Sequence, residues 1–114
     1  MEDRFLQQLK KGVLELLVLE SVCCGPTYGY ALLGQLKARS GGLFALKEGT
    51  LYPILYRLED EGFVTASWSA GEGRTAPKKI YTATAAGQAE ARRRRAVWEE
   101  FSRMVDRFGR GEGA

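Results

Sequence analysis

A long apolar helical stretch near the start of the chain limits most strongly the folds open to this sequence. From Phe5 to Val22 apolar residues recur at helical spacing, and from Val13 onward they cover nearly the whole circumference of a helix. Such a helix must be surrounded by other elements, and a chain of 114 residues supplies enough of them for one domain only. We therefore expect a single domain packed around the second half of this helix.

Two further short helices are predicted to follow. Gly25-Pro26 ends the first helix, and Thr27 is a candidate N-cap for a second helix that runs to about Ser40. A third helix is expected to begin between residues 47 and 49 and to stop at Gly62. Its predicted inner face consists of Leu51, Ile54, Leu55 and Leu58.

The rest of the chain predicts a hairpin and one long helix. Residues 63–68 and 79–84 are rich in aromatic and β-branched side chains, and the turn-forming segment 69–78 separates them. Thr84 is expected to cap a helix from Ala85 to about Phe108, followed by a disordered tail at 109–114. This order, mainly α with a small β-hairpin, is that of a winged helix-turn-helix domain at 5–84 with a C-terminal helix at 85–108.

Composition disfavours an enzyme. The chain contains no histidine, the commonest general base and metal ligand, and Cys23 and Cys24 are adjacent, without the spacing of a redox pair or a zinc site. We expect no metal and no cofactor, and we interpret both cysteines as reduced core residues of a cytoplasmic protein. The acidic start and the short apolar stretches predict neither an export signal nor a membrane span.

The outer face of the third helix is suited to contacting double-stranded DNA. A net charge of +3 permits a polyanionic partner without proving one, so the placement of the side chains matters more. In a helix-turn-helix domain the second helix of the motif enters the major groove with polar, aromatic or basic groups. The candidates here are Lys47, Thr50, Tyr52, Pro53, Tyr56 and Arg57. The alternative for Tyr52 and Tyr56 is that they lie partly in the core, one of them supporting the hairpin.

Basic residues also occur in the hairpin and in the last helix. Arg74, Lys78 and Lys79 are predicted to contact phosphates, the alternative being a solvated hairpin tip. The run Arg92-Arg93-Arg94-Arg95 points in four directions on a helix, so it predicts a solvated collar. Its predicted acidic neighbours are Glu90, Glu99 and Glu100, and a direct phosphate contact is the alternative.

An apolar seam on the last helix predicts a homodimer. Val97, Phe101, Met104 and Phe108 follow a 4-3-4 spacing, and Trp98 and Val105 broaden the stripe. The other helices can cover only part of so long a helix, so the seam is expected to pack on its copy in a second subunit. The alternative is that it folds back on its own domain.

Short signatures carry a family resemblance. The segments Thr27-Tyr28-Gly29-Tyr30, 48–64, Lys78-Lys79-Ile80-Tyr81 and Thr84-Ala85-Ala86-Gly87 closely resemble the PadR family of bacterial transcriptional regulators. The likeness spans about residues 9–108, with Ile80 and Ala83 as departures from the usual tyrosine and leucine. The resemblance implies a winged-helix dimer, usually a repressor, of the shorter class with one dimerising helix.

The resemblance also implies an effector site, because some regulators of this class bind flat apolar molecules against a tryptophan matching Trp98. Leu6, Leu9 and Val13 form a stripe that we predict to have no partner within the subunit. We expect these residues and Trp98 of both subunits to bind a planar aromatic effector, with Gln8 and Glu99 near the mouth. The alternative is that Trp98 fills the dimer core. A winged-helix module for a protein partner is the second function that the sequence allows, and an enzyme is the third.

Overall fold

The computed structural model of the chain describes residues 3–71, 73 and 75–112. The described elements, in chain order, are α1 (Arg4–Cys23), β1 (Thr27–Tyr28), α2 (Gly29–Arg39), α3 (Glu48–Asp60), β2 (Val64–Trp68), β3 (Lys79–Ala83) and α4 (Ala85–Gly109). The three strands form one antiparallel sheet in the order β1-β3-β2. The fold is therefore mainly α with a small β-hairpin, as the sequence predicts.

The core lies around the second half of α1. Asp3 caps the helix by accepting hydrogen bonds from the backbone N–H groups of Phe5 and Leu6. All buried residues of α1 lie between Leu16 and Val22, and α2, α3, β3 and α4 pack around that stretch. The core side chains with less than 2% exposure are Val18, Leu19, Val22, Leu32, Leu51, Leu55, Leu58, Val64 and Tyr81.

Strand β1 corrects the prediction for Thr27. Thr27 lies opposite Tyr81 in the sheet and does not cap α2, because β3 provides backbone partners for the two residues after the Gly25-Pro26 turn. Tyr28 takes the N-cap position without a side-chain hydrogen bond. This pairing joins segments more than fifty residues apart, so local sequence patterns do not indicate it.

The junction between α3 and α4 is tightly built. Gly62 has φ +80°, a conformation that favours glycine, and it turns the chain from α3 toward the hairpin. Thr84 caps α4 as predicted, accepting from the N–H of Gly87 at 3.0 Å while its hydroxyl donates to the carbonyl of Gly62 at 2.7 Å. A Cβ at Gly87 would overlap the carbonyl oxygen of Phe63, so only glycine allows α4 to start this close to the hairpin.

The two cysteines have different surroundings. Cys23 is half-buried, and burial raises the pKa of its thiol. Cys24 is exposed because α1 ends before it, so the interpretation of both cysteines as core residues is wrong for Cys24. Both are free thiols.

Only the first part of α4 contains buried residues. Its buried residues are Gly87 and Ala91, and from Val97 to Glu112 no residue is buried. The helix includes Gly109, one residue beyond the predicted end, and Arg110 follows as its C-cap. Gly113 and Ala114 lie outside the described residues, so the disorder expected for the tail stays a prediction.

We expect Leu55→Ala to lower the free energy of unfolding by about 2–5 kcal/mol, because Leu55 is fully buried where α3 meets the core. Leu43→Ala is the matched control, since Leu43 is 41% exposed and should shift the melting temperature little. Thermal denaturation followed by circular dichroism measures both. Equal melting temperatures for Leu55→Ala and the wild type would contradict the packing of α3 described here.

Candidate nucleic-acid interface

Helix α3 presents a polar face opposite its buried leucines. Leu51, Ile54, Leu55 and Leu58 are buried, as predicted. The opposite face of the helix and its N-cap, Lys47, carry the predicted DNA-contacting residues. Lys47, Thr50, Pro53, Tyr56 and Arg57 are all exposed. Five of the six predicted side chains therefore lie at the surface on one helix.

The two tyrosines of α3 have separate environments. Tyr52 is half-buried against the core, and its hydroxyl lies so close to Gly29 that a Cβ there would overlap it. Tyr56 is 49% exposed, with its ring centroid 6.1 Å from that of Tyr52. The partly-core alternative therefore describes Tyr52, while Tyr56 is available at the surface.

The hairpin lysines lie on aromatic rings at the end of the strand pair from which the loop leaves. The Nζ of Lys78 is 4.3 Å from the ring centroid of Tyr28, and the Nζ of Lys79 is 5.3 Å from that of Tyr56. The backbone N–H of Ser69 donates to the carbonyl of Lys78 at 2.8 Å, which closes the strand pair at this point. Arg74, the third predicted phosphate contact, lies outside the described residues.

Lys79 also lies near the buried Tyr81. Its Nζ is 5.5 Å from the ring centroid of Tyr81. Burial of Tyr81 raises the pKa of its phenol to about 12, so the ring stays neutral beside the ammonium group. Lys79 is therefore held next to α3, while Lys78 is held on Tyr28 of β1.

Arg57 is paired with an acidic residue of α1. Its Nη2 lies 3.2 Å from Oε1 of Glu15, and the two side chains are 54% and 42% exposed. The pair places Arg57 on the edge of α3 that faces α1. Sequence patterns did not indicate it, because the partners are 42 positions apart.

The arginine run of α4 is neutralised by a different set of acids from the one predicted. Arg93 and Arg94 both donate to Glu90, and these hydrogen bonds lower the pKa of the Glu90 carboxyl to about 2. The other two contacts lie outside α4. Arg94 lies 3.7 Å from Glu61 at the end of α3, and Nε of Arg95 donates to Glu20 of α1 at 2.8 Å, which raises the pKa of Arg95.

These ion pairs change the interpretation of the arginine run. Glu20 and Glu61 belong to other elements, so three of the four arginines either balance Glu90 or attach α4 to the domain. The run is therefore a structural feature in addition to a charged collar. Glu90 is the member of the predicted acidic set that the pairs include.

A groove of 440 Å³ lies between α1 and α4 of a single chain. Of the predicted effector residues, Leu9, Val13 and Trp98 line it together, with Gln8 beside them. Leu6 is half-buried outside the lining, and Glu99 is exposed. The expectation that the α1 stripe has no partner within the subunit is wrong for Val13, which packs against the core, whereas Leu9 is 52% exposed.

The apolar seam of α4 is open to solvent in the single chain. The exposed fractions are 54% for Val97, 38% for Trp98, 55% for Phe101, 41% for Met104, 47% for Val105 and 81% for Phe108. Val97, Trp98 and Phe101 line the groove against α1, whereas Met104, Val105 and Phe108 lie beyond it. Phe5 and Leu9 on α1 add to the exposed apolar surface at 67% and 52%.

Two kinds of feature are absent from the described part of the chain. Over residues 3–71, 73 and 75–112, no helix is both long and apolar enough to cross a membrane. In the same ranges no group of three acidic, cysteine or histidine side chains is placed to hold a metal ion.

Comparisons with known proteins agree with this geometry. The family model of the transcriptional regulator PadR-like family matches residues 18–93. Transcriptional regulator Rv3488 of Mycobacterium tuberculosis is 31% identical over 100 residues, which cover 88% of this chain and 89% of that protein. Negative transcriptional regulator PadR of Bacillus subtilis is 33% identical over 78 residues, 68% of this chain and 42% of that protein.

A solved structure extends the likeness to three dimensions. The crystal structure of a PadR family transcriptional regulator from Eggerthella lenta superposes with a TM-score of 0.81 and 31% sequence identity. The match covers 91% of this chain and 88% of the Eggerthella chain. The chain therefore belongs to the PadR-like family of transcriptional regulators.

Proposed function

We propose that the protein is a repressor that binds an inverted-repeat operator in double-stranded DNA as a homodimer in the cytoplasm. The observation that carries the proposal is the exposed polar face of α3 beside two lysines at the loop end of the hairpin strands. A helix of this kind fits the major groove, and lysines beside it fit the flanking phosphates. The printed name of the Bacillus relative, a negative regulator, supports repression.

In this proposal α3 distinguishes base pairs and the hairpin supplies affinity. Thr50, Tyr52, Tyr56 and Arg57 carry hydroxyl or guanidinium donors, and Pro53 contributes an apolar surface without an N–H. Lys47, Lys78 and Lys79 are the phosphate contacts, to which Arg74 in the hairpin loop is added from the sequence. Residues 5–84 form the DNA-binding unit and α4 the dimerisation unit.

The proposed dimer rests on the exposed seam of α4. Six large apolar side chains on one helix form a surface that is unusual for a monomeric protein. A second copy of α4 offers the same stripe, so a two-fold arrangement covers both seams at once. Two α3 helices are then presented to two half-sites of an inverted repeat.

A second candidate function is binding of a planar aromatic effector between the subunits. The groove between α1 and α4 supports it, because Leu9, Val13 and Trp98 line one side. In this proposal the second subunit closes the open side, with Leu6 at the edge. Glu15 also lines the groove and pairs with Arg57 of α3, so a bound molecule that displaces the Glu15 side chain would change the DNA-contacting helix.

A protein-binding module on the same winged-helix surface is the competing proposal. Affinity for duplex DNA that falls steeply with salt distinguishes the two, because each phosphate contact releases counterions. The family consists of transcriptional regulators, and no feature of the described residues points to catalysis.

Selection from a pool of random duplex DNA is expected to recover an inverted repeat whose half-site centres lie about 10 bp or a multiple apart. Sedimentation velocity should show a dimer at micromolar concentration. Met104→Glu should shift the protein to monomer and weaken its binding to the recovered repeat, since it places a charge in the seam.

Arg103→Glu is the matched control for Met104→Glu, because the neighbouring position points away from the seam. It should remain a dimer. A wild-type protein that sediments as a monomer with and without DNA would contradict the proposed dimer, and recovery of unrelated sequences would contradict specific binding.

Arg57 and the hairpin lysines are expected to differ in what their removal changes. Lys78→Ala and Lys79→Ala should each weaken binding to all sequences and reduce the salt slope by about one unit. Arg57→Ala should relax specificity at one operator position by about 1–3 kcal/mol. Binding isotherms at several salt concentrations on operator and mixed-sequence duplexes measure both effects.

The ion pair between Glu15 and Arg57 provides a second test of whether Arg57 contacts DNA. Glu15→Gln frees the guanidinium, so operator affinity should rise up to about fivefold, the value of an exposed ion pair. The same substitution in an Arg57→Ala background should have no such effect. A gain of equal size in both backgrounds would mean that Arg57 does not contact DNA.

A planar aromatic dye is expected to quench tryptophan emission of the wild-type protein on titration. The chain has two tryptophans, so Trp98→Phe should abolish the quenching while Trp68→Phe keeps it. Quenching that survives Trp98→Phe, or that is lost in Trp68→Phe alone, would place the dye outside the α1–α4 groove.

A further inference from the structure

Trp68 is an exposed indole at the end of strand β2. Its side chain is 70% exposed. Along β2, Val64 and Ala66 share a face with Trp68, since alternate residues of a strand point the same way. Val64 is buried and Ala66 packs against the core, so Trp68 lies on the core-facing side of the sheet, beyond the edge of the core.

The sheet register places Trp68 beside the candidate DNA interface. Its cross-strand partner is Lys79, on the same face. Lys79 in turn reaches the ring of Tyr56 on the exposed face of α3. The indole is therefore next to the lysine that bridges the hairpin and α3.

The charge around Trp68 favours DNA as the molecule that covers it. Lys79 begins β3 opposite Trp68, the last residue of β2, and Lys78 directly precedes it; both lysines are held on aromatic rings. A second copy of this surface would bring the same positive charges together, whereas a polyanion is attracted. Deoxyribose offers carbon surface to an indole ring, and phosphate accepts a hydrogen bond from its N–H.

We propose that Trp68 contacts the sugar–phosphate backbone of bound DNA, with the indole ring against deoxyribose and its N–H donating to a phosphate. The inference rests on the proposed DNA binding and adds a residue to that interface. Such a contact contributes affinity for any sequence. It carries no net charge, so it leaves the salt dependence of binding unchanged.

Quenching of the wild-type protein by acrylamide, which is neutral and therefore not repelled by DNA, tests the contact directly. Trp68 is the more exposed of the two indoles, at 70% against 38% for Trp98, so it should dominate quenching in the free protein. Adding the duplex recovered by selection should reduce the quenching. In Trp68→Phe, where Trp98 alone emits, the same duplex should leave acrylamide quenching unchanged.

Affinity measurements on Trp68→Ala give the second test. Binding to operator and to mixed-sequence duplex should both weaken by about tenfold, with the salt slope of the wild type. Ser67→Ala is the matched control, because Ser67 is exposed on the other face of β2 and should bind as the wild type does. The melting temperature of both variants should stay unchanged.

The possible outcomes separate this inference from the proposed function. Wild-type protein that binds no duplex overturns both. Wild-type protein that binds while Trp68 keeps its full acrylamide accessibility overturns the inference alone. Weakening of Trp68→Ala on the operator only, or a reduced salt slope, would also overturn the backbone contact.

Discussion

The packing of other elements around the second half of α1 determines the position of every functional side chain in this domain. Val18, Leu19 and Val22 are almost fully buried, and α2, α3, α4 and β3 all contact this helix. Burial of a large aliphatic side chain contributes about 1.5–3 kcal/mol, so these contacts dominate over surface ion pairs of about 0–1 kcal/mol. The orientation of α3 follows, because its leucines face α1 and its polar residues must then face solvent.

Ion pairs fix the orientation of α4 against α1 and α3, because the apolar residues of α4 contribute little to this core. Only Gly87 and Ala91 of the helix are buried. Gly87 fixes the start of α4 against Phe63, while Arg94 reaches Glu61 and Arg95 reaches Glu20. These contacts hold the first half of α4 along α1 and leave the apolar second half projecting.

Sequence patterns predict the elements better than their mutual contacts. The helices and the hairpin can be predicted from apolar periodicity, from glycines at the ends of helices and from the Thr84 cap. All of these signals depend on residues close in the chain. Strand β1, the Arg57–Glu15 pair and the stacking of Lys78 on Tyr28 each join distant segments, and no local signal encodes them. The side chains of the candidate site could therefore be named from the sequence, whereas their neighbours required the structure.

Local placement of charge explains how a protein with a net charge of only +3 can present a cationic surface. Arg57, Arg93, Arg94 and Arg95 each lie within ion-pair distance of a glutamate, so much of their charge is balanced within the domain. The hairpin lysines are held instead by aromatic rings, which position an ammonium group without neutralising it. Positive charge is consequently concentrated where the hairpin meets α3, although the chain as a whole carries nearly as many acids as bases. The electrostatic potential at a surface depends on the charges within about one Debye length, roughly 8 Å at physiological salt. The net charge of the whole chain therefore underestimates the positive potential at this surface.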